Sequence, residues 1–388
     1  MNNTADYQTG GIKVLNSSTL TVSTSEFSNN YGGISTGAIL CTEYCNIFIK
    51  NCTFVNNSAS QLAGGIFVHS HSALTITNSR FDSNHANKAG TISIHIYSKL
   101  HIYNSTFIKN AAFFASSIRV VASSQIIIYY SFFYKNKNTK ELSTEGLLTC
   151  LYSSKLIVSD CIFDSNHGSA LAISEHSHGS ISASTFAYNT GFGQPILASK
   201  NHSSIKLDQC TFTNNDYLLW ISNATGNISN STFQNNTDHL IQVEETSLLF
   251  ITDSLFKNNS AIACYGNSKL TVNNSNFVSN SFNYYLIVIE NQSKAYIKHC
   301  AFLENSATFG IIFIGRLSYV LILTSDVKKS QQTFINLEEQ SRLSMQNVVC
   351  TYNVDVISAN ENSIVHIYNS QFYSCSKRVI ESYQSSIH

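Results

Sequence analysis

Short stretches in which apolar and polar residues alternate recur along the whole sequence. In one of them Leu74 and Ile76 alternate with Thr75 and Thr77. Equivalent apolar pairs occupy the same two positions elsewhere, among them Leu100 and Ile102, Leu156 and Val158, Leu270 and Val272, and Val365 and Ile367. Successive side chains of a β-strand point to opposite faces, so a period of two indicates a strand with one apolar face. The pattern predicts many short strands, each burying alternate residues.

A phenylalanine follows each alternating stretch, and an asparagine comes three residues later. Residues 79–84, with the sequence SRFDSN, contain both. From Phe27 to Phe372 there are 15 such anchor positions, 21 to 30 residues apart, with Val327 and Cys350 replacing phenylalanine at two of them. The asparagine is present in 13 of the 15 units, and Ser330 and Cys375 replace it in the other two. The residues predicted to form structural ladders inside the fold are Phe54, Phe81, Phe107, Phe133, Phe163, Phe186, Phe212, Phe233, Phe256, Phe277 and Phe302, with Asn57, Asn84, Asn110, Asn136, Asn166, Asn189, Asn215, Asn236, Asn259, Asn280 and Asn305. A repeat this regular indicates stacked, similar units.

The repeat length selects the kind of unit. About 25 residues are too few for a strand–helix–strand unit, which needs roughly 30 or more. They suffice for two or three short strands joined by corners, and Asn or Asp, as at Asn78 and Asp160, suits the left-handed backbone of a corner. A leucine-rich horseshoe is disfavoured because its leucine spacing and helix are missing. The sequence predicts an all-β protein, a single parallel β-helix of about 15 coils with essentially no α-helix, continuous over residues 1–388.

Stacking gives each recurring column a physical reason. Strands pair at about 4.8 Å, so the phenyl rings of successive coils would form an internal aromatic ladder. The asparagine amides would hydrogen-bond from coil to coil and satisfy backbone groups at the corner. The position two residues before the anchor is Ser or Cys in 14 of 15 units, with Val348 the exception, which indicates a crowded interior corner.

Irregular segments are where loops are expected. The longest repeat contains residues 137–141, KNTKE, and residues 41–45, CTEYC, form a second irregular segment, so both are predicted to be lateral loops. Residues 9–14 resemble the second half of a preceding coil, and residues 385–388 resemble the start of a further one. Solenoid ends normally carry polar caps. We therefore expect truncation at both ends, with any leader or anchor outside the sequence.

The charge of the chain excludes some classes of partner. Lys+Arg and Asp+Glu are balanced at 23 each, and charged residues make up only 12% of the chain. A neutral chain lacks the basic surface that binds nucleic acid or anionic membranes. No apolar run approaches the roughly 18–20 residues of a membrane-spanning helix. We expect no nucleic-acid partner and no direct membrane insertion by this segment.

The acidic residues form no evident catalytic pair. Glycoside hydrolysis uses two carboxylates about 5–10 Å apart. The densest acidic cluster is Glu244, Glu245 and Asp253, but no acid occupies the same register in the next coil. Asp82 and Asp164 share a column but lie three coils apart. We predict no catalytic residue, and the alternative is a carbohydrate-active or carbohydrate-binding β-helix, which a groove lined with tyrosines and acids along one sheet would favour.

Two histidine pairs are the candidates for metal ligands. His69 and His95 fall in one column of adjacent coils, as do His176 and His202. Stacked side chains lie about 5 Å apart, which is close enough to share a metal ion. Thirteen histidines on stacked coils will often coincide in this way, so we predict no metal site and no cofactor. A metal-binding module is the third alternative.

The ten cysteines are predicted to act mainly as small buried residues. Cys-x-x-Cys zinc spacing does not occur. Those in the column before the anchor are too far apart for disulfides and are expected to be free thiols. They are Cys52, Cys161, Cys210 and Cys300. Pairing of Cys41 with Cys45, or of either with Cys52, is left open.

The Phe-x-x-Asn column, together with Gly-Gly-Ile segments, resembles the repeats of the polymorphic membrane proteins of chlamydiae and of similar protist surface proteins. The glycine segments are residues 10–12, 32–34 and 64–66, and the Phe–Asn column covers nearly the whole chain. The resemblance implies a right-handed parallel β-helix of the pectin-lyase-like kind, displayed at the cell surface as an adhesin-type passenger.

These observations favour a non-enzymatic β-helix at the cell surface or outside the cell, adhesin-like or serving as a structural display scaffold. The repeat is nearly complete and carries no convergent reactive group. The expected partner is a protein or a glycan on the surface of a host or neighbouring cell, although the sequence does not identify it.

Overall fold

The computed structural model describes residues 3–140, 145–191 and 193–388. Every regular element within these ranges is a β-strand, and they contain no α-helix. Each turn of the chain contributes strands in the same order, and each strand pairs in parallel with its counterpart in a neighbouring turn. The protein is a parallel β-solenoid of about 15 turns, which confirms the predicted fold class.

The chain divides into two compact units, Met1–Ile205 (unit 1) and Lys206–His388 (unit 2). Strand Ser204–Asp208 contains the residues at which they divide. The extent of one continuous domain over residues 1–388 stays a prediction.

Unit 1 forms four parallel sheets. Sheet 1 has five-residue strands: Thr19–Ser23, Asn46–Lys50, Ala73–Thr77, Lys99–Tyr103, Gln125–Tyr129, Lys155–Ser159 and His178–Ser182. Sheet 2 carries the anchors: Glu26–Ser28, Thr53–Val55, Arg80–Asp82, Thr106–Ile108, Phe132–Tyr134, Ile162–Asp164 and Thr185–Ala187. Sheet 3 has two-residue strands: Thr4–Ala5, Tyr31–Gly32, Ser58–Ala59, His85–Ala86, Ala111–Ala112 and Lys137–Asn138. Sheet 4 completes the turn: Ile12–Leu15, Ile39–Thr42, Ile66–His69, Ile92–His95, Ile118–Val121, Leu148–Leu151, Leu171–Ile173 and Leu197–Lys200.

Unit 2 has the same order of sheets 1, 2 and 4. Its sheet 1 strands are Thr225–Ser229, Leu248–Thr252, Lys269–Asn273, Lys294–Lys298, Tyr319–Leu323, Arg342–Gln346, Ile364–Tyr368 and Ser386–Ile387. Sheet 2 has Thr211–Thr213, Thr232–Gln234, Leu255–Lys257, Asn276–Val278, Ala301–Leu303, Asp326–Lys328, Val349–Thr351 and Gln371–Tyr373. Sheet 4 has Leu219–Ser222, Ile241–Glu244, Ile262–Cys264, Tyr285–Ile289, Gly310–Ile314, Ile335–Leu337, Ile357–Ala359 and Ile380–Ser382. Two short strands, Ser281–Phe282 and Ser306–Ala307, pair beside sheet 4.

The anchor phenylalanines stack inside each unit. In unit 1 the ring centroids of successive anchors from Phe27 to Phe186 are 4.6 to 4.9 Å apart. In unit 2 the rings from Phe212 to Phe302 are 4.7 to 4.9 Å apart. From Phe54 to Phe302 the rings are buried. Burial of such a side chain contributes about 1.5–3 kcal/mol, so the stack forms much of the apolar core.

The aromatic stack ends after Phe302, where Val327 takes the place of the next anchor phenylalanine. Another ring, that of Phe334, packs there instead. Val327 takes the register position after Phe302 and is fully buried. The ring of Phe334, which precedes a sheet 4 strand, packs edge-on against Phe302 with centroids 5.5 Å apart. Phe334 is itself fully buried and thus supplies an aromatic ring where the anchor has lost its own.

The predicted asparagine ladder is confirmed. In unit 1 the Asn84 side-chain Nδ2 donates to the Oδ1 of Asn110 at 3.1 Å and to the Phe54 carbonyl oxygen at 2.9 Å. The Oδ1 of Asn110 also accepts the backbone N–H of Asn84. In unit 2 Asn236 and Asn259 are bonded in the same way. The amides therefore satisfy backbone groups that the corner leaves unpaired.

Two further columns of hydrogen bonds were not predicted. In the column before the anchor, the backbone N–H of Ser79 donates to the hydroxyl of Ser105 at 3.1 Å. In a column before sheet 1, the backbone N–H of Ser72 donates to the hydroxyl of Ser98 at 3.2 Å. A thiol replaces the hydroxyl at Cys161, whose Sγ accepts from the N–H of Ser131. Small size was the reason predicted for Ser or Cys at the position before the anchor. The structure shows that these side chains also accept a hydrogen bond from a backbone N–H of the neighbouring coil.

The predicted corners adopt the left-handed backbone conformation, with φ between 47° and 54°. They are Asn51, Asn78, Asn104, Asp160, Asn230, Asp253, Asn274, Asn347 and Asn369. Left-handed backbone costs Asn and Asp less than most residues, which explains their recurrence there.

The lateral loop predicted at residues 41–45 is wrong, and the one predicted at residues 137–141 is wrong for its first two residues. Residues 39–42 are a sheet 4 strand, and Glu43 and Tyr44 form the same left-handed two-residue turn that Ser70 and His71 form one coil later. Lys137–Asn138 is a sheet 3 strand, and the Asn138 side chain is buried. Thr139 and Lys140 follow this strand, whereas residue 141 lies outside the described residues.

Candidate functional site

A cleft of about 560 Å³ lies on the outer face of sheet 4 in unit 2. We call it the aromatic cleft. Its lining residues are His239, Ala261, Ala263, Tyr265, Phe282, Tyr284, Tyr285, Val288, Glu290, Phe309, Phe313 and Glu338. Pockets that are mainly aromatic and apolar, with few polar groups, are typical of small-ligand sites.

The cleft forms where the coils lengthen. The anchors Phe256 and Phe277 are 21 residues apart, whereas Phe277 and Phe302 are 25 apart, as are Phe302 and Val327. The two longer coils contain the paired strands Ser281–Phe282 and Ser306–Ala307 beside sheet 4. Phe282, from the first of these strands, lines the cleft.

Aromatic rings from two successive coils face each other in the cleft. The rings of Tyr285 and Phe313 are stacked with centroids 4.8 Å apart and planes at 27°. Phe309 lies 6.1 Å from Tyr285 and 5.5 Å from Tyr284. The Nδ2 of Asn336 donates to the Phe309 carbonyl oxygen at 2.7 Å, which fixes the backbone beneath that ring.

Two carboxylates, those of Glu290 and Glu338, lie along one column of the same face. The register pairs Ile289 with Ile314 and Ile314 with Leu337, so Glu290, Gly315 and Glu338 occupy equivalent positions of three successive coils. Two coils separate the carboxylate-bearing residues by about 10 Å along the sheet.

Gly315 lies beneath the ring of Phe313, between the two acidic residues of the column. A Cβ atom there would lie 2.7 Å from the Phe313 Cε1 atom and 3.4 Å from the Glu290 Oε1 atom. The first separation is below any normal contact, so a side chain would displace the ring of Phe313. Glycine at this position therefore allows the ring of Phe313 to lie close to the sheet.

Burial and neighbouring acids change the pKa of Glu338. Burial, followed by the carboxylates of Glu361, Glu339 and Glu290, raises the pKa of Glu338 above its usual value. Burial also raises the pKa of Tyr285, and Glu338 adds to this effect. Among the described residues that line the cleft there is no Lys or Arg. The site is thus a region of unneutralised negative charge.

The acids singled out from the sequence are not brought together. The Glu244 carboxylate accepts from Trp220 Nε1 at 2.6 Å and from Gln242 Nε2 at 2.9 Å. Glu245 accepts from the Ser222 hydroxyl. Asp253 lies at a corner after sheet 1, where it accepts from an asparagine amide of the next coil.

Sequence reasoning missed Glu290 and Glu338, although a signal was present. Each lies 12 residues before its anchor, at Phe302 and Cys350. Glu244 lies 12 residues before Phe256, so the three acids share one column. Tyr265 and Gly315 interrupt it, which hides the alignment when only adjacent coils are compared.

The two histidine pairs behave differently in the structure. The rings of His69 and His95 are 6.2 Å apart and tilted, whereas those of His176 and His202 are stacked at 5.1 Å. Burial, then Arg119, His69 and Lys88, lowers the pKa of His95 to about 3. Among the described residues no three His, Cys, Asp or Glu side chains are grouped as metal ligands.

All ten cysteines are free thiols. Cys41, Cys45 and Cys52 are therefore not paired with one another, which answers the question that the sequence left open. The Cys45 thiol donates to the Thr42 carbonyl oxygen at 3.0 Å, and the Cys52 thiol donates to that of Lys50 at 3.3 Å. Each of these two thiols is therefore hydrogen-bonded within its own coil.

No helix of sufficient length and hydrophobicity to cross a membrane is present in the described part of the chain.

Comparison with known proteins identifies the fold family. The family model described as "Right handed beta helix region" matches residues 1–107, 63–178 and 145–302. The chain belongs to this right-handed β-helix family. Its handedness thus agrees with the prediction, whereas the closer resemblance to chlamydial polymorphic membrane proteins stays a hypothesis.

Three individual proteins are similar to this β-helix chain. The metabotropic glutamate receptor-like protein R of Dictyostelium discoideum is 37% identical over 83 residues, which is 21% of this chain; the chain spans 5% of the length of that curated relative. The periplasmic alginate epimerase AlgG has 9% identity over 82% of this chain and 78% of its own, with a TM-score of 0.43. The Streptococcus pneumoniae surface protein and adhesin PfbA has 11% identity over 94% of this chain and 91% of its own, with a TM-score of 0.34.

Proposed function

We propose that this β-helix is a non-catalytic, adhesin-like protein of the cell surface or extracellular space that binds a glycan in the aromatic cleft. The observation that carries the proposal is the row of tyrosine and phenylalanine rings beside two carboxylates on sheet 4. Apolar ring faces can pack against the C–H faces of sugars, and carboxylates can accept hydrogen bonds from sugar hydroxyls. A groove of tyrosines and acids is the feature that favours carbohydrate over a purely structural role.

The proposed role in surface display is supported by the division between inward and outward residues in each coil. The interior residues of each coil hold the structure together, so outward residues are available for recognition. The neutral charge of the chain argues against nucleic acid and anionic membranes as partners. A glycan of a host or neighbouring cell is the partner that fits best.

Glycan binding is tested by replacing a ring of the cleft. We expect Tyr285→Ala to weaken binding of any retained oligosaccharide at least tenfold, because Tyr285 contacts both Phe309 and Phe313. Tyr368→Ala is the matched control, since this tyrosine is 68% exposed on sheet 1, away from the cleft. The measurement is a glycan array followed by calorimetry. Absence of any bound glycan, or equal binding by the two variants, would overturn the proposal.

Glycoside hydrolysis is the second candidate. The column that contains Glu290 and Glu338 favours it, because inverting enzymes hold two carboxylates about 6.5–9.5 Å apart and one of them has a raised pKa. We expect no cleavage of bound oligosaccharides by the native protein. Cleavage that is lost in Glu290→Gln and Glu338→Gln, but kept in Glu304→Gln, would establish the enzyme instead.

A further inference from the structure

The aromatic cleft contains negative charge that the protein does not neutralise. Within the described residues, the carboxylates of Glu290 and Glu338 accept no hydrogen bond and form no salt bridge. The nearby Arg316 guanidinium pairs instead with Glu339, at 3.4 Å. Both carboxylates are half-buried. A half-buried charge without a partner is unfavourable, so a ligand that supplies a positive charge would gain more here than at an exposed acid.

The aromatic rings favour the same sign of charge. Ring faces carry partial negative charge and attract cations that lie within about 6 Å of the centroid. Tyr285 and Phe313 line the cleft beside the carboxylates. An anionic sugar would meet repulsion from the rings and from both acids, and a neutral sugar would leave the acids without an ionic partner.

The ring of Phe313 lies over Gly315, between Glu290 and Glu338 in the column. A Cβ atom at residue 315 would come within 2.7 Å of the Phe313 Cε1 atom, so the missing side chain lets the ring lie close to the sheet. The Glu290 Oε1 atom is 3.4 Å from the same Cβ position, which places this carboxylate directly beside the ring. An ammonium group is small and has three donors, so it can pair with a carboxylate that borders the ring.

We infer that the aromatic cleft selects sugars with unsubstituted amino groups, such as oligomers of glucosamine, and that the carboxylates of Glu290 and Glu338 pair with ammonium groups of the bound saccharide. The inference rests on the proposed glycan binding and narrows it to cationic saccharides. Glu290 and Glu338 are the specificity-determining residues, and the rings provide the platform for the sugar.

The test compares three hexasaccharides of matched length by calorimetry with the full chain. They are the hexamers of glucosamine, of N-acetylglucosamine and of galacturonic acid. We expect the glucosamine hexamer to bind at least tenfold more tightly than the acetylated one, and the uronate hexamer not to bind. Preference for the neutral or the anionic hexamer overturns the inference but leaves glycan binding intact. Failure of all three to bind, together with an unresponsive glycan array, overturns the proposed function as well.

Substitution of the acids separates specific from general electrostatic attraction. In the Glu290→Gln, Glu338→Gln double variant, the glucosamine and N-acetylglucosamine hexamers are expected to bind with equal affinity. The amides keep the shape of the side chains, and thermal unfolding verifies that the variant is folded. Glu304→Gln is the control, because Glu304 already pairs with Lys329 at 2.9 Å outside the cleft. If the double variant retains the full preference for glucosamine, the assignment of Glu290 and Glu338 is wrong.

Discussion

Asparagine recurs three residues after the anchor because its amide bonds both to coils on either side and to the backbone. The Oδ1 of Asn110 accepts from the backbone N–H and the Nδ2 of Asn84, at 2.9 and 3.1 Å. The Nδ2 of Asn110 donates to the Oδ1 of Asn136 and to the Phe81 carbonyl oxygen, each at 3.0 Å. Asp lacks the donor, and Gln would move the amide outward by one methylene.

Loss of one buried amide should therefore destabilise the fold. Asn110→Leu leaves the Asn84 N–H and the Phe81 carbonyl unpaired, and we expect a cost of about 3 kcal/mol in the free energy of unfolding, since each buried unpaired group costs roughly 1–3 kcal/mol. Chemical denaturation measures it. His101→Leu, at an exposed position of sheet 1, should change stability by less than about 0.5 kcal/mol. Equal midpoints for the two variants would contradict the role of the ladder.

Phe334 and Val327 should be energetically coupled. Val327→Phe alone places a second ring where Phe334 already packs on Phe302, and overpacking costs about 1–3 kcal/mol. Phe334→Ala alone leaves a cavity and costs about 3–5 kcal/mol. In the double variant the new ring can continue the stack, so we expect it to be at least about 1 kcal/mol more stable than the two single effects predict. A double-mutant cycle measures this term, and strict additivity would contradict the compensation.

The structural role of a column could be predicted from the sequence where the same amino acid recurs in successive coils. It could not be predicted where equivalent positions carry different amino acids. The asparagine ladder and the left-handed corners were predicted because Asn recurs in column after column. The hydroxyl of Ser105 was assigned to small size alone, because an acceptor role leaves no separate trace in sequence. Glu290 and Glu338 were missed because Gly315 separates them. Their shared position 12 residues before the anchor becomes meaningful only once the strand register is known.

At the scale of the elements, the sheet 4 strands of unit 1 should lose stability in acid through His95. Burial and the nearby Arg119, His69 and Lys88 lower its pKa from 6.5 to about 3 in the folded protein. The unfolded chain therefore binds the proton first, and the stabilising contribution is present above pH 6.5 and is lost as the pH falls toward about 3. Thermal unfolding should show a smaller loss over this range for His95→Gln than for the native protein. His101→Gln, in the exposed face of sheet 1, should follow the native protein.

Glu338 should have the opposite effect on unit 2. Burial and the carboxylates of Glu361, Glu339 and Glu290 raise its pKa in the folded protein. Its contribution is favourable below the pKa of the unfolded chain and is lost as the pH rises through the higher folded value. We expect Glu338→Gln to raise the melting temperature at neutral pH and to have little effect near pH 4. A constant difference at all pH values would contradict this assignment, and Glu304→Gln is the control.

The strand pattern was predictable at this scale because alternation directly reflects the two faces of a strand. Residues 74 and 76 are buried and residues 73, 75 and 77 are half-buried, as the alternation requires. The lateral loop at residues 41–45 was predicted wrongly because unusual composition was interpreted as irregular backbone. Residues 41–45 contain two cysteines and two charged or aromatic turn residues, yet they follow the strand and turn of the neighbouring coil.

At the scale of the molecule, the thiols should be almost inert in the folded protein. Nine of the ten are buried, and only Cys375 is partly exposed. Burial raises the pKa of Cys150 and Cys264 to about 12, so few thiolates are present at neutral pH. A thiol-reactive chromogenic disulfide should label about one group per native chain and ten after denaturation. Cys375→Ser should abolish the rapid reaction, and rapid labelling of several thiols would contradict the packing.

The outward side chains of sheet 4 are not part of the internal hydrogen-bond columns or of the phenylalanine stack. Glu290, Gly315 and Glu338 can each be exchanged without disturbing the groups that hold their coils in register. Substitutions on the two faces of the sheet therefore have different consequences. The inward side chains of each strand are constrained by folding, whereas the outward side chains can change under selection for new ligands. Among related β-helix proteins, we expect the amino acid at the position 12 residues before the anchor to vary most.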